Sequence, residues 1–300
     1  MNVTFRQLRL FLALADTGSV SAAAKVMHVT QPTASMQLRE VSDAVGVPLY
    51  EVVSRRVRLT DAGLDLARTA RAMVGEWEAF AQRIDAVKGL TRGRLTVAVV
   101  STAKYFMPRL LGSFCERHPE IDVSLQVLNR DGVVARLRDN LDDLYIMSLP
   151  PTDIDLHDRV FMANPMVVVA PSGHRLARRR QVALADLRDE RFVLRERGSG
   201  TRIAVDAHFK RLRFAPIVRL ELGSNEAIRE SVAGNLGLSV LSVHALGAHV
   251  DAQGVVVLPV EGFPIPSAWH VVRRRARRPS PIAQTFEAHL FEHAPAPPVA

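Results

Sequence analysis

Ser19-Val20-Ser21-Ala22-Ala23-Ala24-Lys25-Val26-Met27-His28-Val29-Thr30-Gln31-Pro32-Thr33-Ala34-Ser35-Met36-Gln37-Leu38-Arg39 decides how the first part of the chain folds. Ser19 or Ser21 is placed to cap a short helix through Met27, and Thr30 to cap a second. Pro32 falls in that second helix's first turn, where a missing N–H costs nothing. Ala34, Leu38, Val41 and Val45 recur at i, i+4, i+7 and i+11 and point to one side. Gln31, Thr33, Ser35, Met36, Gln37 and Arg39 are left facing outward. Two short helices, a tight turn and a polar outer face make a helix-turn-helix pattern. Alanine-rich short helices also occur in domains that never touch DNA, so the spacing alone leaves both readings open.

On the N-terminal side, Leu8, Phe11, Leu12 and Ala15 form one helical stripe between Phe5 and Thr17. On the C-terminal side, Pro48-Leu49-Tyr50 is expected to close the third helix, and Val53 to Leu59 reads as a short hairpin carrying Arg55, Arg56 and Arg58. A basic hairpin beside a helix-turn-helix acts as a wing, with arginines on phosphates or in a narrow minor groove. Thr60-Asp61-Ala62-Gly63 then opens a helical stretch to about Gly89. Leu59, Leu66, Ala70, Met73, Trp77, Phe80, Ile84 and Val87 settle past Leu66 into alternating spacings of four and three, a heptad seam. At ~1.5 Å per residue this helix runs roughly 45 Å, too long for a small winged domain to cover. A second copy of the chain covers it most simply; the chain's own second domain is the alternative.

The 300 residues suit about two domains. With 48% apolar and 23% charged side chains, the chain fills globular cores and is not mainly disordered. The formal charge of +8 makes an extended anionic partner plausible, nucleic acid first. One cysteine, Cys115, excludes an internal disulfide and a thiolate zinc cluster, and suits a reducing cytosol. The arginines among the first nine residues do not read as a secretory signal, and no apolar run approaches the roughly 18 residues of a spanning helix. A soluble, cytoplasmic protein with no membrane partner is expected.

Beyond Arg92-Gly93, strands are expected at Arg94–Val100, Ile121–Leu128 and Leu144–Leu149. The first strand is expected to end in Ser101-Thr102-Ala103-Lys104 before a helical run through Phe114, and a further helix is expected over Asp131–Asp139. A second set follows: strands at Met166–Ala170, Phe192–Arg195, Val218–Leu222 and Leu238–Leu241, with helices from Ser199 or Thr201 to Lys210 and from Ser224 to Ala233. A strand at Ala268–Arg273 and a helix at Ile282–Phe291 precede a Pro-Ala tail expected to be disordered. The alternation means α/β with much of the sheet parallel, in two lobes with a cleft between. Strand-to-helix turns at Ser101, Thr102 and Lys104 on one lobe, and at Arg195, Ser199, Thr201 and Arg202 on the other, pair helix N-termini with fixed cations. A phosphorylated small molecule fits that polarity. Surface ion pairs of Arg195 and Arg202 with Glu196 and neighbouring acids would instead leave the cleft neutral.

No nucleophile elbow, phosphate-loop lysine or dinucleotide glycine motif is present, so no catalytic residue and no cofactor are assigned. His289-Leu290-Phe291-Glu292-His293 matches an inverted zinc-peptidase spacing, but its place beside a proline-rich end weighs against it, and no metal site is assigned.

Phe5-Arg6-Gln7-Leu8 through Ser21-Ala22-Ala23-Ala24, Val29-Thr30-Gln31-Pro32-Thr33-Ala34-Ser35 and Leu59-Thr60-Asp61-Ala62-Gly63 resemble the N-terminal domain of LysR-type transcriptional regulators, and the resemblance runs over nearly the whole chain. It implies that Gln31, Pro32, Thr33, Ser35 and Met36 face the major groove and that Arg55 approaches the minor groove, with Arg39 and Arg56 beside them. Val52 and Val41-Ser42 depart from the family pattern. Ser101-Thr102-Ala103-Lys104-Tyr105-Phe106, Asn129-Arg130, Asn164-Pro165, Leu194 to Arg202, Leu222 to Ile228 and Gly237 to Ser242 are similar to the Calvin-cycle subgroup, the regulators of the RuBisCO operon. Ser148-Leu149 and the bulky Tyr145 depart from it.

The resemblance implies a winged helix-turn-helix over 1–60 and a dimerising linker helix over 61–90, its seam Leu66, Met73, Trp77, Phe80 and Ile84. A two-lobed, periplasmic-binding-protein-like sensor follows over 91–300, with lobe I at 91–163 and 268–292 and lobe II at 164–267. It adds Asn129 and Asn225 to the effector residues. It implies double-stranded promoter DNA, a phosphorylated Calvin-cycle intermediate or NADPH, and a homodimer or homotetramer as partners. A LysR-type regulator of another metabolic operon, a two-lobed solute receptor and a cytosolic enzyme acting on a phosphorylated metabolite are the rivals; the solute receptor leaves the initial ninety or so residues unexplained.

Overall fold

Thr4 starts the first helix by a reciprocal pair of bonds: its hydroxyl accepts from the Gln7 N–H, and its own N–H donates to Gln7 Oε1 at 2.8 Å. In the computed structural model, which describes residues 2–53, 56–87, 92–247 and 254–294 (the side chains of 86 and 87 excepted), the chain divides into two compact units near residue 90. Arg55, the side chain of Val87 and the terminal tail lie outside the described residues.

In the first unit, α1 (Phe5–Thr17), α2 (Val20–Val26, capped by Ser19) and α3 (Gln31–Val45, capped by Thr30) enclose one core. Leu10, Phe11, Leu14, Ala23, Ala24, Ala34, Leu38, Val41 and Leu49 form most of it. The stripe expected on α1 is too narrow. Leu10, Ala13 and Leu14 are buried with Leu8 and Phe11, whereas Leu12 and Ala15 are only half-buried, because α2, α3 and α4 all press on this helix. Pro48-Leu49-Tyr50 does not close α3. That helix already ends at Gly46, whose N–H bonds back to the Ser42 carbonyl, and Tyr50 opens β1 (Tyr50–Val53). β1 pairs antiparallel with β2 (Arg56–Leu59), and the hairpin is tied to the turn after α1 by the Val57 N–H donating to the Gly18 carbonyl at 3.0 Å. α4 (Asp61–Val87) follows, about 40 Å long at ~1.5 Å per residue.

The second unit has two lobes. Lobe I comprises β3 (Gly93–Val100), α5 (Met107–Arg117), β4 (Ile121–Leu128), α6 (Arg130–Arg138), β5 (Leu144–Met147) and β6 (Leu156–Ala163). Lobe II comprises β7 (Met166–Pro171), β8 (Arg191–Arg195), α7 (Gly200–Arg211), β9 (Ile217–Leu222), α8 (Asn225–Ala233), β10 (Ser239–Ser242) and β11 (Val255–Leu258). The chain then returns to lobe I as β12 (Ala268–Arg274) and α9 (Pro281–His293). The lobe I sheet has the order β4-β3-β5-β12-β6; β4, β3 and β5 are parallel, and β12 runs antiparallel to β5 and β6.

In lobe II β8 and β9 pair in parallel whereas β10-β7-β11 is antiparallel, so parallel pairing is less general than the alternation implied. Ser101–Tyr105 is a 3-10 turn, and the helical run expected after it begins at Met107, which puts Pro108 in the first turn of α5, where it is tolerated. β6 and β11 were not legible: His157-Asp158-Arg159 interrupts any apolar run on the edge strand β6, and β11 is four residues long.

The lobes are joined by two crossings, at residues 163–166 and 265–268. Buried Asn164 pins them, its N–H donating to the Ser267 carbonyl at 2.8 Å and its Oδ1 accepting from Ser242 Oγ at 2.6 Å.

Candidate functional site

The outer face of α3 is built by what lies under it. Ala34, Leu38 and Val41 are buried, which fixes the rotation of the helix and leaves Gln31, Pro32, Ser35, Met36 and Arg39 exposed, with Thr33 half-buried and bonded through its hydroxyl to Thr30. Met36 exposes 56% of its surface, an apolar side chain on a polar face that suits contact with base methyls. In the wing Arg56 and Arg58 are two apart on β2, so they share one face of the hairpin, and both are exposed. Val52 and Val53 are exposed beside them.

On α4, Met73, Trp77, Phe80 and Ile84 expose 51, 58, 46 and 38% of their surface. Leu66 differs. It is half-buried against the core of its own unit, because the first turns of α4 pack under α1, so it is not a free seam position. Trp77 has a partial partner at home, the Phe5 ring at 6.0 Å, and the Phe80 ring lies at 5.7 Å.

Among the described residues of the second unit, four hydrogen bonds between side chains cross from one lobe to the other. Arg195, at the end of β8 and 2% exposed, donates to Ser101 Oγ at 3.1 Å and to Asn225 Oδ1 at 2.7 Å. Asn225 Nδ2 donates to Thr102 Oγ1 at 3.4 Å. Lys104 Nζ and Tyr105 OH both donate to the Glu226 carboxylate at 2.8 Å. The Ser101 turn, the end of β8 and the first turn of α8 therefore meet.

Ser199 and Thr201, at the start of α7, are buried, and Ser199 makes no side-chain cap bond there. The neighbouring Gly198 approaches lobe I so closely that a Cβ would lie 2.4 Å from Asp131 Oδ2, and its φ of +86° further restricts the position to glycine. Asn129 is engaged at the start of α6, its Oδ1 accepting from the Gly132 N–H at 2.9 Å.

Both arginines carry the ion pairs weighed from sequence. Arg195 makes a two-bond pair with Glu196, at 2.8 and 3.0 Å. Arg202 pairs with Asp206 and, at 2.9 Å, with Glu221, and it donates to the Arg195 carbonyl, so its charge is spent on lobe II itself. Glu226 and Tyr105 were missed. Glu226 reads in sequence only as a first-turn acid after the Ser224 cap, and its link to Lys104, 122 residues away, has no local signal. Burial pushes the Glu226 carboxyl up, but bonds from Lys104, Ser224 and Tyr105 outweigh it and bring it to about 2. Burial and the adjoining Glu226 carboxylate push the Tyr105 phenol well above its ordinary range.

Tyr145 is buried, its hydroxyl donating to the Arg136 carbonyl and accepting from the Asp142 N–H, so its bulk fills the lobe I core. His289 Nε2 lies 3.0 Å from both the Leu110 carbonyl and Ser113 Oγ, which places the ring in α5–α9 packing.

Residues 5–64 match the family model described as bacterial regulatory helix-turn-helix protein, lysR family, and residues 88–295 match the LysR substrate binding domain. The HTH-type transcriptional activator CmpR of Synechocystis sp. is 40% identical over 292 residues, covering 97% of this chain and 96% of CmpR. The RuBisCO operon transcriptional regulator of Allochromatium vinosum is 39% identical over 294 residues, covering 98% and 97%. Among solved structures, the regulatory domain of CcmR from Synechocystis PCC6803, in complex with 2-PG, is 46% identical with a TM-score of 0.65 and covers 67% of this chain and 97% of that domain.

Proposed function

This chain belongs to the LysR family of bacterial transcriptional regulators, and from that premise we propose that it controls carbon-fixation genes in response to a small phosphorylated metabolite. It acts as a homo-oligomer on double-stranded promoter DNA. Gln31, Pro32, Thr33, Ser35, Met36 and Arg39 read the duplex from α3, and Arg56, with Arg55, follows its backbone from the wing. The seam of Met73, Trp77, Phe80 and Ile84 joins two copies. End-to-end similarity to a RuBisCO operon regulator supports the target, and the 2-PG held by the CcmR domain supports the effector class.

One observation carries the effector reading: Arg195 and Lys104 come from different lobes and meet the same hydroxyl-bearing turn, where Ser101, Thr102 and Asn225 are gathered. A phosphate there gains charge-assisted bonds, each stronger than a neutral one. The protein works as a sensor and not as a catalyst.

Footprinting on promoter DNA of the carbon-fixation genes, with and without phosphoglycolate, phosphoglycerates, sugar phosphates and NADPH, tests target and signal together. Gln31→Ala should weaken operator binding by about 1–3 kcal/mol, the cost of a lost base contact. Protection unchanged by every phosphorylated ligand, together with a response to an uncharged one, overturns the anionic reading. Turnover of any of these metabolites overturns the sensor reading.

A further inference from the structure

Two cations at the contact between the lobes, Arg195 and Lys104, already hold a carboxylate. Arg195 is paired with Glu196, its neighbour in the chain, and Lys104 with Glu226 from the other lobe. An anion gains either of these two cations only by displacing the carboxylate that it already holds.

The two are not equally displaceable. Arg195 is buried, holds Glu196 through two bonds, and also positions Ser101 and Asn225; removing its counter-ion strands a buried charge. Glu226 is half-buried on the first turn of α8, and its side chain is already 39% exposed. Three donors converge on it: Lys104 Nζ at 2.8 Å, Tyr105 OH at 2.8 Å and Ser224 Oγ at 2.7 Å. Two carboxylate oxygens share three donors, whereas a phosphate monoester offers three terminal oxygens and up to two charges.

We propose that Glu226 sets the charge selectivity of the cleft. It is a resident carboxylate that occupies Lys104 and Tyr105 and yields only to a ligand bearing a phosphate dianion. A ligand bearing a single carboxylate gains nothing over the group it must expel, so rejection is built into the empty site and not into a clash. The same residue ties the lobes together when no ligand is bound. Phosphate binding then exchanges one link across the cleft for another, which couples occupancy to the contact between the Ser101 turn and α8. This inference rests on the anionic-effector reading above and deepens it.

The test uses the full chain, with phosphoglycolate as the probe that adds a phosphate dianion to a carboxylate and glycolate as its counterpart with the carboxylate alone. Calorimetry on the parent should show binding of phosphoglycolate and none of glycolate. In Glu226→Gln, which keeps the shape and removes the charge, phosphoglycolate should bind about tenfold more tightly, within the usual range of coupling effects, and glycolate binding should become measurable. Unchanged or weakened phosphoglycolate binding in the variant overturns the proposal.

A ligand-free arm separates this proposal from the reading it rests on. Backbone hydrogen exchange over residues 101–106 should quicken in Glu226→Gln relative to the parent, with the exchange of β7 unchanged. Equal exchange over 101–106 overturns the resident-carboxylate role whatever the effector is. Quickened exchange in a protein that binds no phosphorylated probe at all overturns the anionic-effector reading, and the selectivity claim with it, while leaving the lobe contact in place.

Discussion

Gly63 shows how far a single position reaches. A Cβ built there would stand 1.9 Å from the Leu49 carbonyl oxygen, so the first turn of α4 can approach the segment before the wing only as glycine. Thr60 completes the joint, its Oγ1 donating to the Pro48 carbonyl at 2.8 Å and accepting from the Gly63 N–H at 3.1 Å. Gly63→Ala must push α4 off this backbone, an overpacking cost of about 1–3 kcal/mol or more. The midpoint of thermal unfolding of the first unit should fall, and an unchanged midpoint would mean that the joint relaxes freely. In sequence, Thr60-Asp61-Ala62-Gly63 reads only as a helix start. The close approach is invisible there because Leu49 is fourteen residues earlier and contributes through its backbone. The arginines were more legible: Asp206 follows Arg202 at i+4, the spacing that brings helical side chains together, and Glu196 adjoins Arg195. Glu226 has no such local mark, which is why a charge central to the cleft escaped the sequence.

At the scale of elements, periodicity was a good guide where one helix face is buried and a poorer one elsewhere. On α3 the inward set Ala34, Leu38 and Val41 is buried as spaced, because that helix has one buried face. On α1 a single stripe misjudged Leu10, Ala13 and Leu14, since helices press on it from more than one side. The seam of α4 falls between these cases. Its start, Leu66 and Ala70, is absorbed by the chain's own core, while Met73, Phe80 and Ile84 keep large exposed areas. An aspartate in the later part of the seam would stand uncompensated against apolar side chains of a second copy, which is strongly unfavourable. Ile84→Asp should therefore give lower-mass species by light scattering and lose cooperative operator binding. Ile84 is a cleaner probe than Trp77, whose ring meets Phe5 within the same unit. Parent mass and parent cooperativity in the variant would remove the seam from the assembly.

For the molecule as a whole, net charge pointed to the right partner by an indirect route. The first 89 residues hold 11 Lys and Arg against 9 Asp and Glu, whereas the rest hold 28 against 22, so most of the +8 lies outside the helix-turn-helix unit. The DNA recognition proposed for α3 and the wing thus rests on where a few side chains stand and not on a strongly basic domain. The sensor follows the same economy, with its cleft arginine and lysine already paired. Affinity at each site is then set by differences between exchanged contacts, and such differences are what a regulator passes from one site to another. Linkage makes the exchange reciprocal: if the effector changes operator affinity by some factor, bound operator must change effector affinity by the same factor. Titrating phosphoglycolate into the protein alone, and into the protein saturated with its operator duplex, should give dissociation constants whose ratio equals the ratio of operator affinities with and without ligand. A footprint that changes with ligand while the two ligand affinities stay equal would place the response outside equilibrium coupling and rule out this cleft as its origin.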